Sequence, residues 1–259
     1  MPKLIAVVNN KGGIGKTTIS VNLAHALGLR GQPSLVVDLD SQCNSSSFLV
    51  DPEIRDDTLY ELLDGSCNDI DLCIYKTHYK NLWCLPNADE TSALELQLIE
   101  ERKYFLLKSI LDTEKLNKFE YIFLDCPPNL LFFVLSALYC SEFVIVPINA
   151  SSKYAMEGLS KVISMVNDIS QNDNPDLRFL RLLVNSVDKR TSISKIIIDK
   201  VEKVYGEEMV FKNKIPKSTA FEMAEYLGKT IIHHANSSTG ARAFRRLAEE
   251  MIEILPPAK

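Results

Sequence analysis

Residues 4–18 read LIAVVNNKGGIGKTT, and this stretch decides the fold. Its first five residues are apolar and rich in β-branched side chains, which predicts a short buried strand. Glycines then suit a tight loop, and apolar residues recur at helical spacing from Lys16 to Leu29. Gly31 ends the predicted helix, and Ser34–Leu39 reads as a second buried strand. Strand, loop, helix and strand form the opening βαβ unit of a parallel sheet.

Strands and helices continue to alternate along the chain. Further strands are predicted at Asn81–Leu85, Tyr121–Leu124, Phe143–Val146, Phe179–Val184 and Val210–Phe211, and helices at Ala93–Leu111, Lys153–Ile169, Ser194–Tyr205 and 241–255. Residues 51–79 are expected to form short helices and loops. Strands that are apolar on both faces predict an α/β fold with a doubly wound, mostly parallel sheet and helices on both faces. No repeat or linker divides the chain, so residues 1–259 are expected to form a single domain.

The charge, cysteine spacing and apolar runs of the chain disfavour several classes of protein. The net charge is −5, so contact with nucleic acid would need a local basic patch. The 6 cysteines lack C-x-x-C spacing, which favours free thiols in a reducing compartment over a zinc or iron–sulfur site. The N-terminal residues lack the layout of a signal peptide, and the apolar run Leu130–Tyr139 is too short to span a bilayer. A cytoplasmic location is expected.

The glycine-rich loop carries the most specific chemistry. Gly15-Lys16-Thr17 completes the phosphate-loop pattern G-x-x-x-x-G-K-[ST], although Asn10 stands where that pattern has its first glycine. Glycines let backbone N–H groups close around phosphate oxygens, and the helix N-terminus adds partial positive charge. Lys16 is expected to reach the β- and γ-phosphates and Thr17 to ligate Mg²⁺. The predicted nucleotide-binding residues of the loop are Gly12, Gly13, Ile14, Gly15, Lys16, Thr17 and Thr18.

Two further motifs place carboxylates at strand ends. Asp38 and Asp40 are two residues apart, so at the end of the second strand they point the same way, towards the nucleotide crevice. Asp125 follows the apolar run Tyr121–Leu124 and precedes a diproline turn, as in motifs that anchor Mg²⁺. For Asp38 and Asp40, the plainer alternative is a pair of solvated aspartates at a loop end.

Lys11 adds the feature that indicates a family. K-G-G-x-G-K-[ST] is the deviant form of the phosphate loop (deviant Walker A), and here the chain resembles the ParA/MinD family of P-loop ATPases. Asp38–Asn44 resembles the family's D-x-D-P-Q-x-N with Ser41 for proline. Asp125–Pro128 resembles its D-[ST]-P-P with Cys126 for the hydroxyl residue. The likeness is greatest to ParA (Soj-like) partition ATPases without an N-terminal helix–turn–helix domain.

The resemblance implies an ATPase with Mg²⁺ and an ATP-dependent homodimer. In the family, the first lysine crosses the dimer interface to the partner's nucleotide, a role that falls to Lys11. By the same match, Lys16 binds phosphate, Asp40 orients the attacking water, Asp38 supports the Mg²⁺ shell and Asp125 holds the metal. Hydrolysis is expected to be slow and stimulated by a ParB-like or cargo-adaptor protein.

Other segments extend the resemblance over nearly the whole chain. Tyr154–Leu159 looks like the family's Y-A-x-E-G-L helix start. Asn185 and the loop Ile215-Pro216-Lys217, which resembles the family's I-P-R loop, stand where the family contacts adenine. Asn185 and Pro216 are therefore expected to bind the base; the alternative is that they are ordinary loop residues.

The family leaves the purpose of hydrolysis open. Its partition branch binds DNA without sequence preference through basic residues of the C-terminal half, and such binding would weaken with salt. The corresponding candidates are Lys189, Arg190, Lys195, Lys200, Lys203, Lys217, Arg242, Arg245 and Arg246. Alternatively, the last three pair with Glu249 and Glu250 at helical spacing. DNA binding would make the protein nucleoid-associated.

Two other modes of action are disfavoured. The apolar face of the last helix is one that a core would need, so a membrane anchor is not expected. The first strand is predicted to start at residue 3, so a preceding helix–turn–helix is not expected and DNA contacts are expected to be non-specific. One alternative function remains, an ATP-dependent dimerisation switch that acts only through protein partners, in secretion or polar assembly.

Overall fold

The computed structural model describes residues 1–151, 156 and 158–257. Seven strands lie within them: β1 (Lys3–Val7), β2 (Ser34–Asp38), β3 (Tyr75–Lys76), β4 (Leu82–Leu85), β5 (Tyr121–Asp125), β6 (Phe143–Asn149) and β7 (Arg178–Asn185). The α-helices of the same residues are α1 (Lys16–Leu29), α2 (Asn44–Leu49), α3 (Leu59–Asp64), α4 (Ile70–Cys73), α5 (Thr91–Glu100), α6 (Leu106–Leu111), α7 (Phe132–Cys140), α8 (Leu159–Asn172), α9 (Ser192–Tyr205), α10 (Thr219–Tyr226), α11 (Ile231–His234) and α12 (Thr239–Ile254). Short 3₁₀ helices occupy Pro52–Ile54, Glu114–Lys118 and Glu207–Met209.

The strands form one sheet in the order β3-β4-β2-β5-β1-β6-β7. All pairings are parallel except that of β3 with β4 at one edge. The chain leaves the central strand β1 towards β2 on one side and later fills the other side with β6 and β7. The loop after β1 therefore lies at the point where strand order reverses, where open α/β sheets bind ligands. The doubly wound, mostly parallel α/β fold is confirmed.

Helices cover both faces of the sheet, and alternate residues of each strand face opposite layers. On β1, Ile5 and Val7 pack with α1 and α12, whereas Ala6 and the following Val8 pack with α7 and α8. All four side chains are fully buried. This double burial explains why the strands read as unbroken apolar runs. It also anchors the start of the glycine-rich loop in the middle of the core.

The predicted single helix from Ala93 to Leu111 is wrong, because the structure has α5 and α6 separated by a turn. Arg102 lies in this turn with a φ of 55°, outside the helical region. Apolar residues on both sides of the break keep helical spacing, so periodicity alone did not reveal it.

Two other elements differ from prediction. Val210–Phe211 does not form a strand: Val210 makes only an isolated parallel bridge to Leu182 of β7. The helix predicted to start at Lys153 is described from Leu159 onwards, while residues 152–155 and 157, which include half of the Y-A-x-E-G-L segment, lie outside the described residues. None of the helices in the described part of the chain is long and apolar enough to cross a membrane.

Candidate nucleotide site and basic cleft

The loop between β1 and α1 is shaped by positive-φ glycines. Gly13 has a φ of 70° and Gly15 a φ of 92°, a region that glycine adopts without a steric penalty. α1 begins directly afterwards at Lys16, so the loop lies at the N-terminus of a helix of 14 residues. The buried Asn9 fixes the start of the loop: its Nδ2 donates to Pro147 O at 2.8 Å, and its Oδ1 accepts from Lys11 N at 3.0 Å. The result is a preformed cradle of the kind that binds phosphate.

Lys16 lies inside this cradle. Its side chain is buried, and its Nζ donates to Lys11 O at 3.2 Å, so the ammonium group is held against the loop. Burial lowers the pKa of Lys16, while the negative charge of Asp125 opposes that shift. A cation in a partly desolvated cradle is placed to attract the phosphate oxygens of a nucleotide.

Asp38 and Asp125 lie side by side below the loop. They are register partners at the ends of β2 and β5, and both side chains are fully buried. Ser20 Oγ donates to Asp125 Oδ1 at 3.2 Å, and the hydroxyls of Thr17 and Ser45 also contact Asp125. Burial raises the pKa of both carboxyl groups, and for Asp38 the neighbouring Asp125 adds to the rise. A buried pair of acids of this kind favours the binding of a cation.

Asp38 is held by the first turn of α2. Ser46 donates to Asp38 Oδ2 through its N–H at 2.8 Å and its hydroxyl at 2.7 Å. Together with Ser45, which contacts Asp125, Ser46 belongs to the site, although neither serine was predicted from the sequence motifs. The signal available in the sequence was the run Asn44–Ser47, which begins four residues after Asp40, since such polar residues favour a helix start.

Asp40 lies beyond the strand end, at the mouth of the site. It is half-buried, and its Oδ1 accepts from Gln42 N at 3.1 Å. Its own N–H donates to Asp38 Oδ1 at 3.1 Å, so the two aspartates are joined through the backbone. The structure thus brings the phosphate loop, Asp38, Asp40 and Asp125 together at one edge of the sheet. Thr17, Asp38 and Asp125 offer the hard oxygen ligands that Mg²⁺ prefers.

Of the two residues expected near adenine, Asn185 contacts the phosphate loop, and Pro216 lies in a segment paired just beyond it. Asn185 ends β7, and its Nδ2 donates to Ile14 O at 2.7 Å, so its amide holds the loop. Pro216 forms a parallel bridge with Val187, two residues beyond Asn185. The two residues therefore belong to neighbouring segments at the same edge of the sheet as the loop.

A basic cleft of about 1120 Å³ lies beside this edge, between α9, residues 212–219 and α12. Its lining includes eight basic side chains and only three acidic ones. The basic residues are Lys189, Arg190, Lys195, Lys212, Lys214, Lys217, Arg242 and Arg246, and the acidic residues are Asp188, Asp199 and Glu222. Lys212 and Lys214 were absent from the sequence candidates.

Some of the predicted DNA contacts line the cleft and others do not. Lys200, Lys203 and Arg245 are not among its lining residues, and Arg245 Nη1 instead donates to Asn236 O at 2.9 Å. Arg190 is tied to Asp188 through two side-chain hydrogen bonds of 2.9 and 2.8 Å, and this contact holds the pKa of Asp188 at about 2.

The ion pairs considered for the last helix are arranged differently from the expected pattern. Glu249 pairs with Arg30, which directly follows α1, and Glu250 lies 3.5 Å from Arg181 of β7. Arg242 donates to Ser237 O at 2.7 Å, and its exposed side chain lines the basic cleft.

This geometry defines a P-loop nucleotide-binding protein: a glycine cradle at a helix N-terminus, a buried lysine and paired carboxylates at adjacent strand ends. The family described as AAA domain matches residues 2–179. Sporulation initiation inhibitor protein Soj of Bacillus subtilis is 34% identical over 253 residues, which cover 97% of this chain and 98% of the relative. Chromosome-partitioning ATPase Soj of Treponema pallidum is 31% identical, with 97% and 98% covered.

A solved structure points the same way. The septum site-determining protein MinD of Pyrococcus horikoshii, complexed with Mg-ADP, superposes with a TM-score of 0.81 and 27% identity, covering 99% of this chain and 98% of that one. The chain belongs to the ParA/MinD family of P-loop ATPases. It is an ATPase.

Proposed function

We propose that residues 1–259 act as one ATPase domain that dimerises with ATP, binds DNA without sequence preference and serves partition of DNA or positioning of a cargo. The observation that carries the DNA part is the basic cleft. Eight basic side chains line it in a protein whose net charge is −5, so positive charge is concentrated on one local surface. Such concentration is the electrostatic footprint of a polyanion site.

We assign a role to each residue of the nucleotide site. Lys16 and the N–H groups of residues 12–18 bind the phosphates of ATP. Thr17, Asp38 and Asp125 would hold Mg²⁺, which neutralises charge on the transferring phosphoryl group. Asp40, at the mouth of the site and not tied into the buried pair by its side chain, orients the attacking water.

Asn185 and Pro216 bind the adenine base. Because the Asn185 amide already donates to Ile14 O, we assign it a double role: it fixes the loop and borders the base. Pro216 supplies an apolar surface beside it.

The dimer depends on Lys11, which precedes the loop glycines and is half-buried. Replacing Lys11 by alanine removes the cation that would contact the partner's nucleotide. We expect the Mg²⁺-ATP-dependent dimer fraction to fall in sedimentation velocity while the fold, measured by circular dichroism, is retained. An unchanged dimer fraction would contradict the role of Lys11.

The DNA function is tested with a random-sequence duplex. Binding is measured with Mg²⁺-ATP, with Mg²⁺-ADP and without nucleotide, and Asp40→Ala is included to hold the ATP state. We expect binding with Mg²⁺-ATP that weakens with salt and persists in Asp40→Ala. No binding alongside intact ATP-driven dimerisation would favour the alternative, a dimerisation switch that acts through protein partners.

Two consequences follow for the cell. ATP shifts the protein towards the state that binds DNA, and hydrolysis reverses it, because a ligand shifts only an equilibrium that it binds differentially. The protein would then be cytoplasmic and associated with the nucleoid. A ParB-like or cargo-adaptor protein would accelerate turnover.

A further inference from the structure

Glu250 is a buried acid that neither the nucleotide chemistry nor the surface charge explains. Its residue is only 5% exposed, on the core-facing side of α12 between Leu247 and Met251. A carboxylate in such a place costs stability unless hydrogen bonds and charges compensate it. The contacts that compensate this burial therefore indicate which part of the fold the carboxylate holds in place.

The Glu250 carboxylate accepts hydrogen bonds from one short stretch of backbone. Lys212 N donates to Oε1 at 2.7 Å, Asn213 N to Oε2 at 2.9 Å, and Asn213 Nδ2 to Oε2 at 2.8 Å. Arg181 Nη1 of β7 lies 3.5 Å from Oε1 and balances the charge. Glu250 thus holds residues 212–213 against the last helix.

Those two residues belong to a later segment of the chain that runs beside β7. Phe211 N donates to Leu182 O, and Ile215 N donates to Val184 O. The segment therefore advances four residues while β7 advances two, and residues 212–214 bulge away from β7. A bulge leaves backbone groups without sheet partners and redirects side chains. Here Glu250 accepts from the N–H groups of Lys212 and Asn213.

The bulge points towards the basic cleft. Lys212, Asn213 and Lys214 all line it, and Lys217 follows three residues later. Lys214 is further braced by Glu202 of α9, with Nζ 3.0 Å from Oε1. One buried carboxylate therefore sets the course of the strip that supplies three of the eight basic side chains of the cleft.

We propose that Glu250 is the positioning residue of the basic cleft: it clamps the bulge at residues 212–213 so that Lys212, Lys214 and Lys217 face one polyanion, a duplex DNA backbone. The inference rests on the proposed function for the nature of that polyanion. The clamp itself does not depend on DNA.

The proposal is tested with two variants that make the same change in charge but should differ in their affinity for DNA. Glu250→Gln and Glu249→Gln each remove one negative charge from α12, and Glu249 is exposed and pairs with Arg30. If only net charge mattered, both variants would bind random-sequence duplex more tightly. If Glu250 positions the cleft, Glu250→Gln weakens binding by about fivefold or more, the reduction expected when lysines no longer face phosphates. Glu249→Gln then binds as the wild type or slightly more tightly.

Hydrogen exchange gives a readout without DNA. The amides of Lys212 and Asn213 should exchange at least about tenfold faster in Glu250→Gln than in Glu249→Gln, because their acceptor is impaired. Unchanged exchange at both amides, or DNA binding as tight as that of Glu249→Gln, would overturn the proposal. If the wild type binds no DNA, the proposed function fails, and exchange still decides the clamp.

Glu250→Asp covers the case in which the glutamine variant does not fold. It keeps the charge but draws the carboxylate back by one methylene group, so the clamp should again loosen. DNA affinity and amide exchange equal to those of the wild type would overturn the positioning role.

Discussion

At the scale of single residues, the contact between Gly15 and Asn185 joins two ends of the site. The Asn185 amide donates to Ile14 O across the loop, and a Cβ built on Gly15 would lie 2.5 Å from Asn185 Nδ2. Gly13 also has a positive φ, but a Cβ there would meet no heavy atom within 4 Å. The two glycines therefore share a backbone requirement and differ in their surroundings.

That difference yields a prediction. Gly13→Ala should cost about 1 kcal/mol, from the left-handed backbone alone. Gly15→Ala should cost more, because it also displaces the Asn185 amide and its hydrogen bond, worth about another 1 kcal/mol. Binding of a fluorescent ATP analogue and urea unfolding measure both effects. Equal losses in the two variants would show that the contact with Asn185 does not matter.

At the scale of elements, α2 carries the two serines that hold the buried carboxylates, and Arg55 holds α2. Arg55 Nη2 donates to Ser46 O at 2.8 Å and to Val50 O at 2.6 Å, at the C-terminal end of the helix. Ser46 is the residue whose N–H and hydroxyl bind Asp38. The orientation of Asp38 therefore depends on an arginine outside the motif.

Arg55→Ala should lower the free energy of unfolding by about 2 kcal/mol, since a charged donor to buried carbonyl groups is removed. It should also raise the Mg²⁺ concentration needed for half-maximal hydrolysis. Arg30→Ala is the control: its partner Glu249 is exposed, and such pairs are worth less than about 1 kcal/mol. The expectation fails if the two variants are equally stable.

α1 packs against α11 through His25, whose Nδ1 lies 2.8 Å from Thr230 Oγ1. Burial lowers the pKa of His25 to about 4, and the charges of His233, His78 and Arg245 contribute to this shift. The folded protein therefore keeps this imidazole neutral between about pH 4 and 6.5, whereas the unfolded chain binds a proton there. Stability is consequently lost as the pH falls through this window.

His25→Gln removes this proton linkage. Between pH 7 and pH 5 the wild type should lose about 2 kcal/mol more than the variant, at about 1.4 kcal/mol for each pH unit below the unfolded pKa. Urea unfolding at the two pH values measures the difference, with His234→Gln as the control for replacement of a histidine of α11. A parallel loss in wild type and His25→Gln would contradict the expectation.

At the scale of the whole molecule, local periodicity predicted the sheet and the strand ends. β1, β5 and β6 are apolar on both faces, so their positions and parallel pairing followed from the sequence. Parallel strands end at one edge, and for that reason Asp38 and Asp125 could be expected to meet the phosphate loop. The fold class and the neighbourhood of the site were accessible in this way.

What could not be predicted depends on interactions between residues far apart in the chain. Glu250 reads as a surface partner for Arg246 at helical spacing, yet it binds backbone 37 and 38 residues away. Arg55 and Ser46 lack a motif, because their roles exist only once α2 has docked. Likewise, nothing in the sequence distinguishes Lys217, which lines the cleft, from Lys203, which does not.

The difference between basic residues inside and outside the cleft should appear in the salt dependence of DNA binding. The logarithm of the DNA affinity falls with the logarithm of the salt concentration, by about 0.9 for each phosphate neutralised. Lys217→Ala and Arg242→Ala should each reduce this slope by about 0.9 for every phosphate that the variant no longer neutralises. Both side chains are exposed and line the cleft.

Two variants act as internal references for that slope. Lys203→Ala removes an exposed lysine outside the cleft, so the slope should stay unchanged. Arg190→Ala should have a smaller effect than Lys217→Ala, because Asp188 already neutralises Arg190. Equal effects of Lys203→Ala and Lys217→Ala would mean that DNA responds to the charge of the whole surface, and the cleft would lose its special role. A ranking with Lys217 and Arg242 first would instead place the phosphate backbone in the cleft, against the strip that Glu250 holds and against α12.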